Sequence, residues 1–168
     1  MNRVSPVNGK ESWVSDHSNI QYNLDNLANI AKAKNKNETL VLADGVYYLD
    51  KPLVITGSVS LVSEGKGRRS ARLVFTDAQS DTALVTVKNC NGVVFDGINI
   101  KAFGDANRVI GLLSESNSSS VFSNFDIELQ LGFDCVSLKH WRNKKWGESC
   151  IYEKFDLRSD GACVEIQG

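Results

Sequence analysis

Proline and histidine are almost missing from this 168-residue chain, with two of each. Pro6 lies near the start and Pro52 at the beginning of an apolar run, where a strand tolerates its missing N–H. The four cysteines, Cys90, Cys135, Cys150 and Cys163, form no C-x-x-C pair. With so little histidine beside them, they do not make a zinc site. They are expected as free, reduced thiols, mostly packed like small apolar groups. No apolar stretch approaches the roughly 18–20 residues that cross a bilayer, so membrane insertion is not expected. The opening "MNRVSPVNGKESW" has no apolar centre and does not read as a secretory signal. A formal charge of −1 leaves no global footprint for nucleic acid. "EGKGRR" (64–69) lacks the spacing of a phosphate-binding loop; it reads as a wide basic corner able to touch a neighbouring subunit.

Hydrophobic residues make up 42% of the chain and charged residues 23%, which suits one soluble domain with a real core. One helix stands out. In "SNIQYNLDNLANIAKAKN", Ile20, Leu24, Leu27 and Ala31 fall on one helical stripe. Asp16, Ser18 or Asn19 suits its start and Asn35 or Asn37 its end. Lys32, Lys34 and Lys36 complement the negative end of the helix dipole.

After Glu38 the pattern changes to short runs rich in β-branched and aromatic residues, broken by Gly, Ser, Asn and Asp. They include "TLVLADG", "VYYLD", "LVITG", "VSLVSEG", "RLVFTD" and "ALVTVK". Three later segments align without gaps: "VVFDGINI" from Val93, "SVFSNFDI" from Ser120 and "CIYEKFDL" from Cys150, with starts 27 and 30 residues apart. Their inward sets are Val93, Phe95, Ile98 and Ile100; Ser120, Phe122, Phe125 and Ile127; Cys150, Tyr152, Phe155 and Leu157. The alternation breaks at two-residue corners, Asp96-Gly97, Ser123-Asn124 and Glu153-Lys154. Each corner bends a strand onto a second face without reversing it. A second column aligns residues 84–88, 109–113, 135–139 and 163–167, spaced by 25, 26 and 28 residues. It predicts inward pairs Val85/Val87, Ile110/Leu112, Val136/Leu138 and Val164/Ile166, and an outward row Thr86, Gly111, Ser137 and Glu165 flanked by Lys88, Lys139 and Gln167.

Three strands in every coil of about 25–30 residues point to an all-β chain, a right-handed parallel β-helix with an N-terminal capping α-helix. An antiparallel sandwich also has many short strands, but it does not predict recurrence on three faces at nearly constant spacing. The expected division is an extension over 1–18, a capping helix over 19–37 and the β-helix over 38–168. The chain stops directly after a strand, so the β-helix is expected to be incomplete at its C-terminal end or covered there by another chain.

The stretch "TLVLADGVYYLDKPLVITGSVSLVSEGKGRRSARLVF" resembles the opening coils of the pectate-lyase-like β-helix superfamily, and is most similar to phage tailspikes and capsule depolymerases. A helix there precedes a strand, then "DG-x-Y", "PL-x-I" and "V-x-LV-x-EG". The likeness covers residues 19–76 as motif and 77–168 as coil pattern. One departure is that the aspartate-rich stretch before the helix is reduced to "SDHSN". The resemblance implies a homotrimer, a virion tail appendage or other extracellular location, and bacterial polysaccharide as partner. "FDCVSLK" (133–139) also resembles the polygalacturonase strand with paired aspartates, but only Asp134 matches. Phe133 stands where the second acid belongs, and the glycine–histidine–glycine and arginine–lysine motifs are missing. That chemistry does not carry over. No carboxylate cage for calcium is visible, and neither a metal nor a cofactor is expected.

On such a scaffold the loop "HWRNKKWGES" (140–149) follows directly from the second column. Trp141 and Trp146 are candidate sugar-stacking platforms. His140, Arg142, Lys144 and Lys145 are candidates for meeting carboxylates or hydroxyls of an acidic glycan. The plainer alternative packs one tryptophan on the coil beneath and leaves the cations solvated. Glycoside hydrolysis needs two carboxyl groups, and the candidates are Asp134, Glu165 and Asp160. They too have a plain reading, as surface and corner acids. Asp126, Glu128 and Asp156 are assigned to another face, as solubilising groups. The leading expectation is a tailspike-like protein that binds and depolymerises bacterial surface polysaccharide. The others are a non-catalytic structural or adhesive module, and a cellular pectate-lyase-like enzyme or epimerase.

Overall fold

The computed structural model describes residues 2–7, 14–65, 68–102, 109–129, 134–139, 150–158 and 164–167. Every strand pair among the described residues is parallel. This removes the antiparallel sandwich. The chain is mostly parallel β-sheet with one helix, and its architecture is β-helix-like.

The strands fall into three stacks, visited in rotation. The first holds β1 (Asn2–Val4), β2 (Glu38–Leu42), β5 (Val59–Ser63), β8 (Val94–Asp96) and the front half of β11 (Val121–Glu128). The second holds β3 (Gly45–Leu49), β6 (Ala71–Phe75), β9 (Ile98–Ala102) and the back half of β11. β13 (Ile151–Arg158) lies against β11 along its whole length. The third stack orders β4 (Leu53–Ile55), β7 (Ala83–Lys88), β10 (Ile110–Glu115), β12 (Asp134–Lys139) and β14 (Val164–Gln167). All six runs proposed between Thr39 and Lys88 form strands.

The alignment of the first repeat matches the register, Val94 to Val121 to Ile151. Its aromatic positions lie over one another. Phe95 and Phe122 are 5.8 Å apart between ring centroids, and Phe122 and Tyr152 stack at 4.8 Å. Phe125 and Phe155 stack at 5.1 Å. Offset aromatic pairs of this kind add about 0.5–1.5 kcal/mol each beyond their buried area. The corners bend as expected. Gly97, Asn124 and Lys154, the second residue of each corner, all have positive φ, a region side chains avoid unless the surroundings hold them there. Asn124 is held by its Nδ2, which donates to Asp96 Oδ1 at 2.7 Å, alongside Ser123 Oγ at 2.8 Å.

The second column needs one correction. Leu112 pairs with Val85 and Val136, and Ser114 with Val87 and Leu138. The outer strands align as proposed, but 109–113 slides by two residues. Ile110 is therefore not opposite Val85, and Leu113 replaces Gly111 in the row of Thr86 and Ser137. The alternation also breaks within β10: Gly111 and Leu112 are both buried and Ile110 is half-buried, so Ile110 leaves the predicted inward set and Gly111 the predicted outward row. The slip also sets a serine in line with Val87 and Leu138. Ser114 is buried, and its hydroxyl lies 2.7 Å from that of Tyr152 and accepts from Asn117 Nδ2 at 2.8 Å. Burial pushes the Tyr152 phenol up to about 12, against the lowering effect of the Ser114 contact.

The helix α1 (His17–Lys34) buries Ile20, Leu24, Leu27 and Ala31, the predicted stripe, and ends in left-handed Asn35. Its start differs. Asp16 occupies the N-cap position without capping through its side chain. That carboxylate is fully buried and accepts from Val7 N at 2.8 Å and Tyr48 N at 3.0 Å. His17 N donates instead to Ser15 Oγ.

The opening edge of all three stacks is thereby met. β1 pairs with β2 in the first. In the second, Asp16 donates its N–H to Tyr48 O and accepts from Tyr48 N. In the third, the Gln21 amide bonds both N–H and C=O of Val54, and His17 Nε2 lies 2.8 Å from Pro52 O. An unpaired strand edge is a template for aggregation. β1, Asp16 and His17 therefore take part in closing this edge.

Asn117 provides the sharpest energetic test. It is 5% exposed, accepts from Cys90 N at 2.9 Å, and donates to Val87 O and Ser114 Oγ at 2.8 Å each. Truncation strands a buried N–H and a buried C=O. Asn117→Ala is expected to cost roughly 3 kcal/mol in denaturant unfolding, whereas Asn26→Ala on the exposed face of α1 should cost under about 0.5 kcal/mol. Equal costs would contradict the assignment.

Candidate functional site

The register of the third stack aligns its residues in rows. One runs Val54, Thr86, Leu113, Ser137 and Glu165; its neighbour runs Lys88, Glu115, Lys139 and Gln167. Glu165 thus lies directly across from Ser137, one strand away from the face that leads into residues 140–149. Asp134 pairs with Ile110, which pairs with Ala83. This second line is half-buried at Ala83 and Ile110, because the alternation breaks after it: Leu84 and Val85 are both buried, and so are Gly111 and Leu112. Asp134 and Glu165 therefore stand on adjacent strands, with Asp134 three residues along from Ser137, the partner of Glu165. His140, Trp141, Arg142, Lys144, Lys145, Trp146 and Asp160 lie outside the described residues.

The second stack carries a cluster that the sequence reading passed over. Its register aligns Arg72, Asn99, Asp126 and Asp156, and beside them Val74, Lys101, Glu128 and Arg158. Arg69 reaches this line from the corner between β5 and β6. Its Nη1 stands 2.8 Å from Asp156 Oδ2 and 2.9 Å from Asp126 Oδ1, and its Nη2 donates to Lys154 O at 2.7 Å. The contact to Asp126 is an ion pair that falls outside hydrogen-bond geometry, so Asp126 Oδ1 is buried without a hydrogen-bond partner. Two assignments change as a result. Arg69 is engaged within the chain and is not offered to a neighbour, and Asp126 and Asp156 are not merely solubilising. The signal available in the sequence was the aspartate repeated in "NFDI" and "KFDL" at matching positions.

Burial is the main reason the Asp126 carboxyl titrates above its ordinary range. Asp156 raises it further, and Arg69 and Arg158 oppose the shift. Since both carboxylates touch one nitrogen, their nearest oxygens lie within about 6 Å, close to the roughly 5–5.5 Å of a retaining glycosidase pair. The guanidinium occupies the gap between them, however. The adjoining cavity, bounded by Asn99, Asp126, Glu128, Asp156 and Arg158, holds about 120 Å³, below the roughly 300 Å³ at which small-molecule sites begin. This arrangement clamps windings together and does not receive a sugar. Among the described residues, no group of three or more His, Cys, Asp or Glu is placed to hold a metal.

No protein-family model matches the chain, and no curated protein does. Among solved structures, a protein from Parabacteroides merdae described as a "putative glycosyl hydrolase" superimposes with a TM-score of 0.30 at 8% identity, covering 92% of this chain and 94% of that one. A likeness of that degree carries no argument for this chain.

A titration tests the clamp. The folded state holds the Asp126 proton more tightly than the unfolded chain, whose value is about 3.9. This group's contribution therefore makes stability fall as pH rises from that value through the raised one. Carboxyl-carbon NMR should place the Asp126 midpoint above 3.9 or so. Asp156→Asn should lower it and Arg69→Ala raise it. A midpoint at or below the ordinary value would remove the burial argument.

Proposed function

We propose that the chain winds as a right-handed parallel β-helix of the tailspike kind and binds bacterial surface polysaccharide along its third stack and the loop 140–149. The observation that carries this reading is the in-register row of Thr86, Leu113, Ser137 and Glu165. Its members recur at one strand spacing, roughly 4.8 Å, so the face presents a periodic surface to a polymer. Trp141 and Trp146 serve as stacking platforms. His140, Arg142, Lys144 and Lys145 supply charge for an acidic glycan. In this reading the chain works as a homotrimer on a virion tail or other extracellular structure, and Asp134, Glu165 and Asp160 are the acids available for depolymerisation.

The strand register favours a second reading, a module that holds the glycan without cutting it. Cleavage needs two carboxyl groups on opposite sides of one glycosidic bond. Asp134 lies three residues along β12 from Ser137, the partner of Glu165, so the two backbones stand roughly 11 Å apart, beyond the roughly 5–9.5 Å of paired glycosidase carboxyls.

A panel of capsular and lipopolysaccharide glycans distinguishes the two. The chain should be retained by at least one polysaccharide, and Trp141→Ala or Trp146→Ala should weaken retention tenfold or more. New reducing ends or unsaturated uronate absorbance, abolished in Glu165→Gln, would establish depolymerisation. Retention without new ends would establish the adhesive reading. If no polysaccharide is retained, both fall.

A further inference from the structure

A groove of about 550 Å³ lies between the C-terminal end of α1 and the corner joining the third stack to the first, on neither face discussed so far, and its volume is within the range of small-molecule sites. Its walls are fixed. Gly57, at φ +73°, lies so near the helix that an added Cβ would meet Ala28 Cβ at 2.9 Å. Asn37 Nδ2 donates to Asn91 O at 3.1 Å and Gly92 O at 2.9 Å, tying the segment after the helix to the next winding. Asn91 N donates to Ser58 Oγ, and Ser118 Oγ donates to Asn91 Oδ1.

The lining has a one-sided chemistry. Lys32 and Lys36 contribute two cations, and the groove is lined by neither a carboxylate nor an aromatic ring. Neither lysine has an ion-pair partner among the described residues. The carbonyls of Ala31 and Lys32 already accept from Lys36 N and Asn35 N, so the helix end does not require the ammonium groups as hydrogen-bond donors. Asn35, Asn37, Ser58 and Asn91 offer amide and hydroxyl groups. Without a ring to stack on, a neutral sugar has little to hold it here. An anion bearing hydroxyls meets both the charge and the polar wall.

We propose that this groove binds an acidic sugar unit, with its carboxylate at Lys32 and Lys36 and its hydroxyls along Asn37, Ser58 and Asn91. The site is independent of the polysaccharide surface on the third stack.

Backbone-amide NMR of the whole chain tests it, with methyl glucuronide as probe. Shifts should concentrate at Lys32, Lys36, Asn37 and Asn91. The methyl ester, methyl glucoside and inorganic phosphate should each bind at least tenfold more weakly. Lys32→Ala with Lys36→Ala should lose tenfold or more, the paired Arg variants should retain binding, and Trp141→Ala should leave it unchanged. Each lysine variant is at an exposed position, and an unaltered spectrum elsewhere shows that it still folds. Absence of shifts, shifts that survive the double alanine variant, or phosphate binding as tightly as the glucuronide would overturn the proposal.

Discussion

Each strand of this protein finds its backbone partners one winding away and none within its own winding. Residues brought together this way are separated by between 21 and 38 positions along the chain. Every interior side chain must consequently lie above the equivalent residue of the previous winding. The stacked rings of Phe95, Phe122 and Tyr152 are the direct product of that constraint. So are the left-handed corners at Gly97, Asn124 and Lys154, because a bend that fails to repeat would throw the next strand out of register.

The same constraint exposes backbone polar groups wherever a strand stops. The corners solve this with short side chains. Asn117 closes the turn after β10 by bonding three partners, and Ser120 accepts from Val93 N while donating to Ser118 O. These groups are buried, so each unmade bond would cost its full desolvation. At the opening edge the same problem is met three ways: by a strand, by the buried carboxylate of Asp16 and by the amide of Gln21. The helix therefore does two jobs. Its apolar stripe covers the interior, and its polar side chains finish the sheet.

Outward positions are under no such demand, which is why charge collects there in rows. On the second stack the rows carry both signs, and Arg69 gathers Asp126 and Asp156 into a contact that spans windings. Exposed pairs contribute little, but Asp126 is three-quarters covered, with 25% of its side chain exposed. Losing Arg69 would therefore leave a partly buried charge without its counterion. The groove beside α1 is the opposite case, with cations present and acids missing.

The amino-acid sequence determined the helical stripe, the six strands from Thr39 to Lys88, the corners and the alignment of the repeat starting at Val93. Each is written in local periodicity or in side chains that recur at the coil spacing. It could not determine the position of β10, because a period-two pattern fits equally well two residues along, and the break in alternation that buries both Gly111 and Leu112 has no local signature. Nor could it assign Asp16, Arg69 or Asn117. Asp16 has the look of a helix cap, Arg69 that of a surface cation and Asn117 that of a polar loop residue. Their partners lie 32, 87 and 30 residues away respectively, and only the winding of the chain brings those groups within hydrogen-bonding distance.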